Sequence, residues 1–197
     1  MSARTCWSCG GEVAAAEAIC PSCGKVQPPP PAKERADKFA ILGLGPSFDE
    51  PPGLDEKFRA LSRKLHPDRF ARATPQERRY SLEQTTQLND AYKTLRDPVR
   101  RAEHLLALRG IQGDPKMSPE FLEQTLEDRE KLMEAKLAGE PLDGLAAGVR
   151  EKRDRTLREV RELVENGGDL GEAAELLARM RYYARYLDEV EGRSVEL

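Results

Sequence analysis

The stretch of sequence that decides the fold of this chain is Leu61-Ser62-Arg63-Lys64-Leu65-His66-Pro67-Asp68-Arg69-Phe70. Because proline disfavours helical conformation for the residue before it, a helix should end at His66 and the triad His66-Pro67-Asp68 should lie on an exposed turn. Phe58, Leu61 and Leu65 share one face of the preceding helix, and that face should pack inward. The sequence therefore predicts two helices joined by an exposed loop.

Positive charge is concentrated around this loop. Residues 57–72 carry six basic side chains and a single acidic one, Asp68, which gives a local net charge of +5 in a chain of −3. Arg59 and Arg63 are four residues apart and lie opposite the apolar face, so the helix presents cations to solvent. Such a face is often only solvated, and the histidine and aspartate lack the nucleophile or phosphate loop of a catalytic site. Nucleic-acid binding through the basic face is left open as an alternative.

Helix start and stop signals divide the rest of the chain. Thr74-Pro75-Gln76-Glu77 combines a capping residue, a proline at the first helical position and a glutamate at the third. Gly110, Gly139 and Gly167-Gly168 stand where a left-handed residue could end a helix. We predict an all-α fold, with a helical hairpin around the loop and an antiparallel three-helix bundle at the carboxyl end. The predicted helices span residues 36–43, 54–65, 75–95, 98–109, 118–138, 141–165 and 170–191.

Composition excludes several classes of protein. The chain has 197 residues, with 32 Lys and Arg against 35 Asp and Glu, so its overall charge gives no argument for nucleic-acid binding. Aromatic residues make up 6% and the mean hydropathy is −0.67, which argues against a large β-sandwich or a membrane protein. No run approaches the roughly 20 apolar residues of a membrane span, and residues 1–5 hold no apolar run typical of a secretory signal. We expect a soluble, cytoplasmic protein without a membrane partner.

The cysteines form two paired motifs near the amino terminus. Cys6 and Cys9 form one Cys-x-x-Cys element, and Cys20 and Cys23 form the other. In a reducing compartment two such elements favour a bound metal over disulfides, although a thioredoxin-like redox pair is a second interpretation. Four thiolates favour Zn²⁺, with iron left open. They also fill the coordination shell, so the metal should be structural.

Four prolines, Pro28 to Pro31, follow the cysteines and predict a stiff spacer. The chain then divides into a four-cysteine segment at 1–27, a proline-rich linker at 28–35, a helical domain at 36–110 and a three-helix domain at 111–197. We expect the first segment to be a separate small zinc-ribbon-like unit, so that metal loss would unfold only that segment.

Five segments together resemble one family of proteins. A basic helix, the His66-Pro67-Asp68 loop and a second long helix resemble the J-domain of DnaJ-type co-chaperones. The resemblance is closer to HscB-type iron-sulfur cluster co-chaperones, and it extends over about residues 36–191. The amino-terminal four-cysteine segment is similar to one that some members carry. The segments that carry the resemblance are His66–Phe70, Leu88–Leu95, Arg96–Leu106, Phe121–Leu132 and Arg179–Tyr182.

The resemblance implies a J-domain that stimulates ATP hydrolysis by a partner of the HscA or DnaK type and is not itself an enzyme, so no catalytic residue is expected. By analogy, cations on the basic helix steer onto an acidic surface of the ATPase, and the loop makes the triggering contact. The residues implied in this contact are Arg59, Arg63, Lys64, His66, Pro67, Asp68 and Arg69. His104, which lies in Arg96–Leu106, is expected to be structural.

The resemblance also implies that the carboxy-terminal bundle binds an IscU-type scaffold protein. The positions that match the family's scaffold surface are Leu122, Leu126, Glu127, Glu130, Glu134 and Tyr182. Glu123 departs from the pattern, because the family often places an apolar residue there. Independently, residues 114–140 carry a net charge of −4, with Glu123, Glu127, Glu130 and Glu134 spaced along one helix edge. The chain therefore has two binding faces of opposite charge.

The sequence leaves two alternative functions open. A general J-protein would use its bundle for unfolded clients, and a nucleic-acid-binding protein would use the metal segment beside the basic helix. Whether the metal segment makes the protein a dimer is also left open.

Overall fold

The computed structural model describes residues 3–14, 17–29, 37–113 and 115–192. Within these residues the chain forms seven α-helices and one small two-stranded sheet. It divides into two compact units, residues 1–108 and 109–197. The division falls two residues before the predicted boundary at 110.

The elements follow one another in a simple order. In the sheet, β1 (Arg4–Thr5) pairs antiparallel with β2 (Glu12–Val13). A short 3-10 helix, Pro67–Phe70, lies between the second and third α-helices. The helices are α1 (Lys38–Ile41), α2 (Leu54–Leu65), α3 (Pro75–Arg96), α4 (Pro98–Leu108), α5 (Pro119–Ala138), α6 (Asp143–Glu165) and α7 (Leu170–Val190).

The predicted all-α fold is confirmed, and each predicted helix is present with ends within two residues of those expected. Local capping explains this agreement. Thr74 Oγ1 accepts a hydrogen bond from Glu77 N at 3.3 Å, and the Glu77 carboxylate accepts one from Thr74 N at 3.2 Å, which completes a capping box at the start of α3. Gly139 ends α5 with a φ of 70°, in the left-handed region that favours glycine.

The first unit is built around the hairpin of α2 and α3. Leu65 of α2 is buried with Leu88, Ala91 and Leu95 of α3. Phe58 of α2 stacks on Tyr92 of α3 with ring centroids 4.0 Å apart. The apolar face of α2 therefore packs inward, as predicted.

His104 on α4 is structural, as predicted. Its Nε2 accepts a hydrogen bond from Lys38 N at 3.0 Å at the start of α1, and its ring stacks on Phe39. Burial, together with the nearby Lys38, lowers the pKa of His104 below its usual range. The imidazole is therefore neutral and connects α4 to α1.

The second unit is a three-helix bundle. Buried residues from α5, α6 and α7 form its core, among them Leu132, Val160 and Leu177. Lys152 of α6 donates to Asp128 of α5 at 2.8 Å. The predicted bundle is thus present in the described residues.

The four-cysteine segment packs against the helices of the first unit. Lys25 Nζ lies 3.0 Å from the carboxylate of Glu77 on α3, which is 3% exposed. Gln84 Nε2 on α3 donates to the carbonyl of Gln27 at 2.6 Å, and Trp7 meets the ring of Tyr80 edge-on at 6.1 Å. The segment thus contacts α3 rather than standing apart from the helices, because one face of α3 offers it polar and aromatic partners.

The predicted linker, 28–35, lies outside the described residues from position 30 onward. Its role as a stiff spacer, and the domain bounds built on it, stay predictions.

Candidate functional site

The His66-Pro67-Asp68 loop lies on the surface at the end of α2. The helix ends at Leu65, and His66 leaves it with φ −54° and ψ 127°. Pro67 begins the 3-10 helix, and Phe70 at the end of that helix is buried and anchors the loop. The prediction that His66 ends the helix before an exposed turn is confirmed.

Two hydroxyl groups of α3 fix the base of the loop. Ser81 Oγ donates to the carbonyl of Leu65 at 2.6 Å, and Thr85 Oγ1 donates to the same oxygen at 3.1 Å. The last carbonyls of a helix lack partners within the helix, so these bonds hold the end of α2 where the loop begins. No local pattern predicts this role, although two hydroxyl residues four apart on the inner face of α3 are a weak signal.

The triad itself has a defined internal geometry. His66 Nδ1 accepts a hydrogen bond from Asp68 N at 3.3 Å, and the same nitrogen lies 3.5 Å from an Asp68 carboxylate oxygen. The Asp68 side chain is 90% exposed. A turn held this way presents the carboxylate outward, where an incoming partner can reach it.

The basic side chains lie on the exposed surface beside the loop. Arg59, Arg63 and Lys64 are exposed on α2, and Arg69 Nη1 donates to the carbonyl of Arg63 at 3.3 Å. Arg59 also lies 3.8 Å from the Asp55 carboxylate, so part of its charge is balanced within the chain. The structure thus brings all seven residues of the predicted chaperone contact to one helix end and its loop.

Asp55 ties the start of α2 to the end of α3. Its carboxylate accepts hydrogen bonds from Tyr92 Oη at 2.8 Å and from Arg96 Nη1 at 2.7 Å. The Tyr92 hydroxyl, followed by Arg96, lowers the pKa of Asp55 below its usual range.

We expect Asp55→Asn to lower the melting temperature of the protein near neutral pH, because Arg96 then loses its ionised partner. A carboxylate with a lowered pKa in the folded state stabilises the fold above its ordinary pKa of about 3.9 and stops doing so as pH falls through the lowered value. The difference in melting temperature between wild type and variant should reach its full size above about pH 5 and disappear in stronger acid. Thermal melts followed by circular dichroism from acid to neutral pH measure it, and an equal difference at every pH would contradict this assignment.

The predicted scaffold residues on α5 face solvent. Leu122 and Leu126 are exposed, and Glu127, Glu130 and Glu134 are exposed along the same helix. Glu123 is exposed as well, so it joins the acidic edge.

Tyr182 contributes from α7. Its hydroxyl donates to the carbonyl of Thr125 on α5 at 3.1 Å, and its ring meets Phe121 edge-on at 5.7 Å. Burial raises the pKa of Tyr182 well above its usual range, so the hydroxyl stays protonated and donates. The structure therefore places Tyr182 next to α5, although its side chain is partly buried by contacts within the bundle.

The four cysteine sulfurs lie close enough to bind one metal ion. Sγ of Cys6 is 3.7 Å from Sγ of Cys23, and Sγ of Cys9 is 3.8 Å from Sγ of Cys20. All four sulfur atoms lie within 4.8 Å of one another. A tetrahedral ion with bonds of about 2.3 Å needs sulfurs about 3.8 Å apart, so the donor set fits such an ion.

Neighbouring groups support the thiolate form of Cys6. Its sulfur accepts hydrogen bonds from Ser8 N at 3.4 Å and from Gln27 Nε2 at 3.3 Å. Burial by itself raises the pKa of Cys6, but these donors and the backbone N–H of Cys9 outweigh it and lower the pKa. Gln27 was not predicted from the sequence, because only the folded segment brings it near the sulfur.

Gly10 and Gly24 follow the second cysteine of each pair, with φ values of 72° and 71°. Nothing lies within 4 Å of a Cβ built at either position. Glycine is therefore required here by the left-handed backbone of the knuckle rather than by crowding against the sulfur.

Comparisons with known proteins identify the family. A model described as a DnaJ domain matches residues 37–104, and one described as an HSCB C-terminal oligomerisation domain matches residues 117–191. The co-chaperone protein HscB homolog of Burkholderia thailandensis is 38% identical over 167 residues, which cover 80% of this chain and 93% of the relative. The chain belongs to the HscB family of co-chaperones.

Other members of the HscB family match more of the chain. The iron-sulfur cluster co-chaperone protein HscB of Mus musculus is 32% identical over 197 residues, covering 96% of this chain and 82% of the relative. The crystal structure of human co-chaperone protein HscB aligns with a TM-score of 0.83 at 31% identity, covering 98% of this chain and all of that one. Chaperone HscB from Vibrio cholerae covers 79% of this chain and 96% of its own, with a TM-score of 0.72 and 32% identity. The match with human HscB thus extends through the four-cysteine segment.

Membership in the HscB family confirms the J-domain and the carboxy-terminal domain that the sequence predicts. Among the described residues, no helix combines the length and the apolar character that a membrane crossing requires.

Proposed function

We propose that this chain acts as a co-chaperone in iron-sulfur cluster biogenesis, bringing an IscU-type scaffold to an ATPase chaperone of the HscA or DnaK type. One observation carries the proposal. An exposed His66-Pro67-Asp68 loop at the end of a basic helix lies in the same chain as an HscB carboxy-terminal domain with an exposed acidic and apolar helix. Each unit thus offers one surface to one partner.

The first surface contacts the ATPase. Arg59, Arg63, Lys64 and Arg69 attract an acidic surface, which raises the association rate and weakens with salt. His66, Pro67 and Asp68 make the short-range contact that favours one conformation of the chaperone. Because ATP is hydrolysed by the partner, we assign no catalytic role to His66 or Asp68.

The second surface holds the scaffold through the exposed face of α5. Leu122 and Leu126 supply apolar area, and Glu127, Glu130 and Glu134 supply negative charge beside it. Tyr182 supports the edge of this face from α7. Delivery of the scaffold then follows from having both surfaces in one chain.

The four-cysteine site holds Zn²⁺ with a structural role. Cys6, Cys9, Cys20 and Cys23 would be its ligands, and four soft thiolates suit zinc, while iron in the same cage is the alternative. Free cysteines in two such pairs suit a reducing compartment, which supports a cytoplasmic location. A dimer formed through this segment stays a hypothesis.

Scaffold binding distinguishes this function from that of a general J-protein. We expect Leu122→Ser combined with Leu126→Ser to weaken binding of purified scaffold at least about tenfold, because two apolar side chains lose their burial in the complex. Isothermal titration calorimetry measures it. Suppression of model-substrate aggregation without any preference for the scaffold would favour the general J-protein, and a salt-sensitive mobility shift would favour nucleic-acid binding.

A further inference from the structure

Helix α5 exposes more apolar surface than the proposed scaffold residues account for. Leu122 and Leu126 are 50% and 64% exposed, but Met133 and Leu137, further along the same helix, are 66% and 85% exposed. Large apolar side chains exposed in a row typically mark an interaction surface, whereas isolated ones need no explanation. The proposed contact through Leu122 and Leu126 therefore does not explain why Met133 and Leu137 are exposed.

The four side chains lie on one face of the helix. Their spacings of four, seven and four residues place them within about 60° of one another around the helix axis. The row runs from Leu122 to Leu137, which is about 22 Å along the axis. We call these four residues the α5 stripe. The opposite face of α5 is occupied by the bundle, since Phe121, Leu132 and Ala135 are buried there.

The charges beside the α5 stripe differ between its two edges. Glu123, Glu127, Glu130 and Glu134 follow one edge over about 16 Å of that length, at angles of about 80° to 140° from Leu122. The other edge carries Arg129 and Lys136, and Lys136 is already paired with Glu189 of α7 at 3.0 Å. The stripe is thus bordered mainly by negative charge along one side.

This charge pattern distinguishes between the binding partners that could cover the α5 stripe. Two copies of the chain stacked stripe to stripe in antiparallel orientation would bring the acidic edges together, and like charges facing each other are unfavourable. In parallel orientation four glutamates would meet Arg129 and a lysine that already has a partner. A partner with an apolar ridge bordered by lysine or arginine fits the surface better than a second copy does.

We propose that the scaffold surface continues along the whole α5 stripe, so that Met133 and Leu137 contact the same IscU-type scaffold as Leu122 and Leu126. This inference rests on the proposed function. It assigns to the scaffold an apolar segment about 20 Å long with basic side chains along one side. Met133 and Leu137 then determine affinity at the far end of the contact.

The test is the double variant Met133→Ser with Leu137→Ser. Both side chains are exposed in the isolated chain, so the fold and the ATPase stimulation measured without scaffold should not change. Binding of purified scaffold, measured by isothermal titration calorimetry, should weaken at least about tenfold, as expected when two apolar side chains lose their burial. The matched control is Leu82→Ser on α3, where an isolated leucine is 59% exposed, and it should bind the scaffold as wild type does.

The outcomes separate this inference from the proposed function. If Leu122→Ser with Leu126→Ser weakens scaffold binding and Met133→Ser with Leu137→Ser does not, the inference is overturned and the proposed function stands. If the wild type itself binds no scaffold, both fail. If sedimentation shows a wild-type dimer that Met133→Ser with Leu137→Ser dissociates while scaffold binding is unchanged, the surface pairs two copies and the inference is overturned.

Discussion

Asp68→Asn is expected to abolish stimulation of the chaperone ATPase, reducing it at least about tenfold toward the basal rate. The Asp68 side chain is 90% exposed on a turn whose base is fixed by Ser81 and Thr85. Asparagine keeps the shape of the side chain but removes its charge, so a short-range contact with a cation of the partner is lost while the turn is kept. Steady-state ATP hydrolysis by the chaperone, with increasing amounts of the variant, measures the effect.

The control for this variant is another exposed aspartate of the same unit. Asp90→Asn on α3 removes a carboxylate that pairs with Lys38 at 3.0 Å, away from the loop, and it should stimulate the ATPase as wild type does. Scaffold binding by Asp68→Asn should be unchanged, because that surface lies in the second unit. Full stimulation by Asp68→Asn would contradict the assignment, and loss of both functions together with helicity would indicate misfolding instead.

Removal of the metal is expected to lower the stability of the whole first unit, not only that of the four-cysteine segment. Once the cysteines are released, Lys25 no longer faces Glu77, Gln27 no longer accepts from Gln84, and Trp7 leaves Tyr80. Burial by itself raises the pKa of Glu77, but Lys25 and Thr74 lower it. When Lys25 moves away, the buried Glu77 carboxylate therefore loses one of the two groups that stabilise its charge. We expect the melting temperature to fall by roughly 5 to 10 °C, as the loss of about 1 to 2 kcal/mol does in a domain of this size.

Chelation followed by thermal melts, with Trp7 fluorescence as a local probe, measures this change. Trp7 is the chain's single tryptophan, and it lies against Tyr80 of α3 and donates to the carbonyl of Val26 at 2.8 Å, so its emission reports on the segment and on its contact with α3. Lys25→Met with the metal still bound removes only the ion pair and should give a smaller decrease. Elemental analysis of the purified protein distinguishes zinc from iron. If chelation changes Trp7 emission but leaves the melting temperature unaltered, the segment does not stabilise the helices.

Local signals made the helices and the loop predictable from the sequence. The side chains of Thr74 and Glu77 each accept a hydrogen bond from the backbone N–H of the other residue, only three positions away. Pro67 disfavours helical conformation for the residue directly before it. The paired cysteines were predictable for the same reason, since each Cys-x-x-Cys turn is a local unit.

Contacts between distant residues were not predictable in this way. The pairing of Lys25 with Glu77, and of Gln27 with Gln84, joins residues more than fifty positions apart. No spacing rule links such residues, and the proline run between them indicated separation instead. Met133 and Leu137 were missed because the resemblance covered only part of the α5 surface, and their exposure became evident only in the folded helix.

In the proposed function, one chain couples an ATPase chaperone to an iron-sulfur scaffold. The most direct test is the ATPase rate of the cognate HscA- or DnaK-type chaperone with and without this protein, each with and without the scaffold. We expect this protein and the scaffold together to stimulate the rate by more than the sum of their separate effects, and we expect Asp68→Asn to remove this synergy. Purely additive rates, or stimulation that the scaffold leaves unchanged, would contradict it.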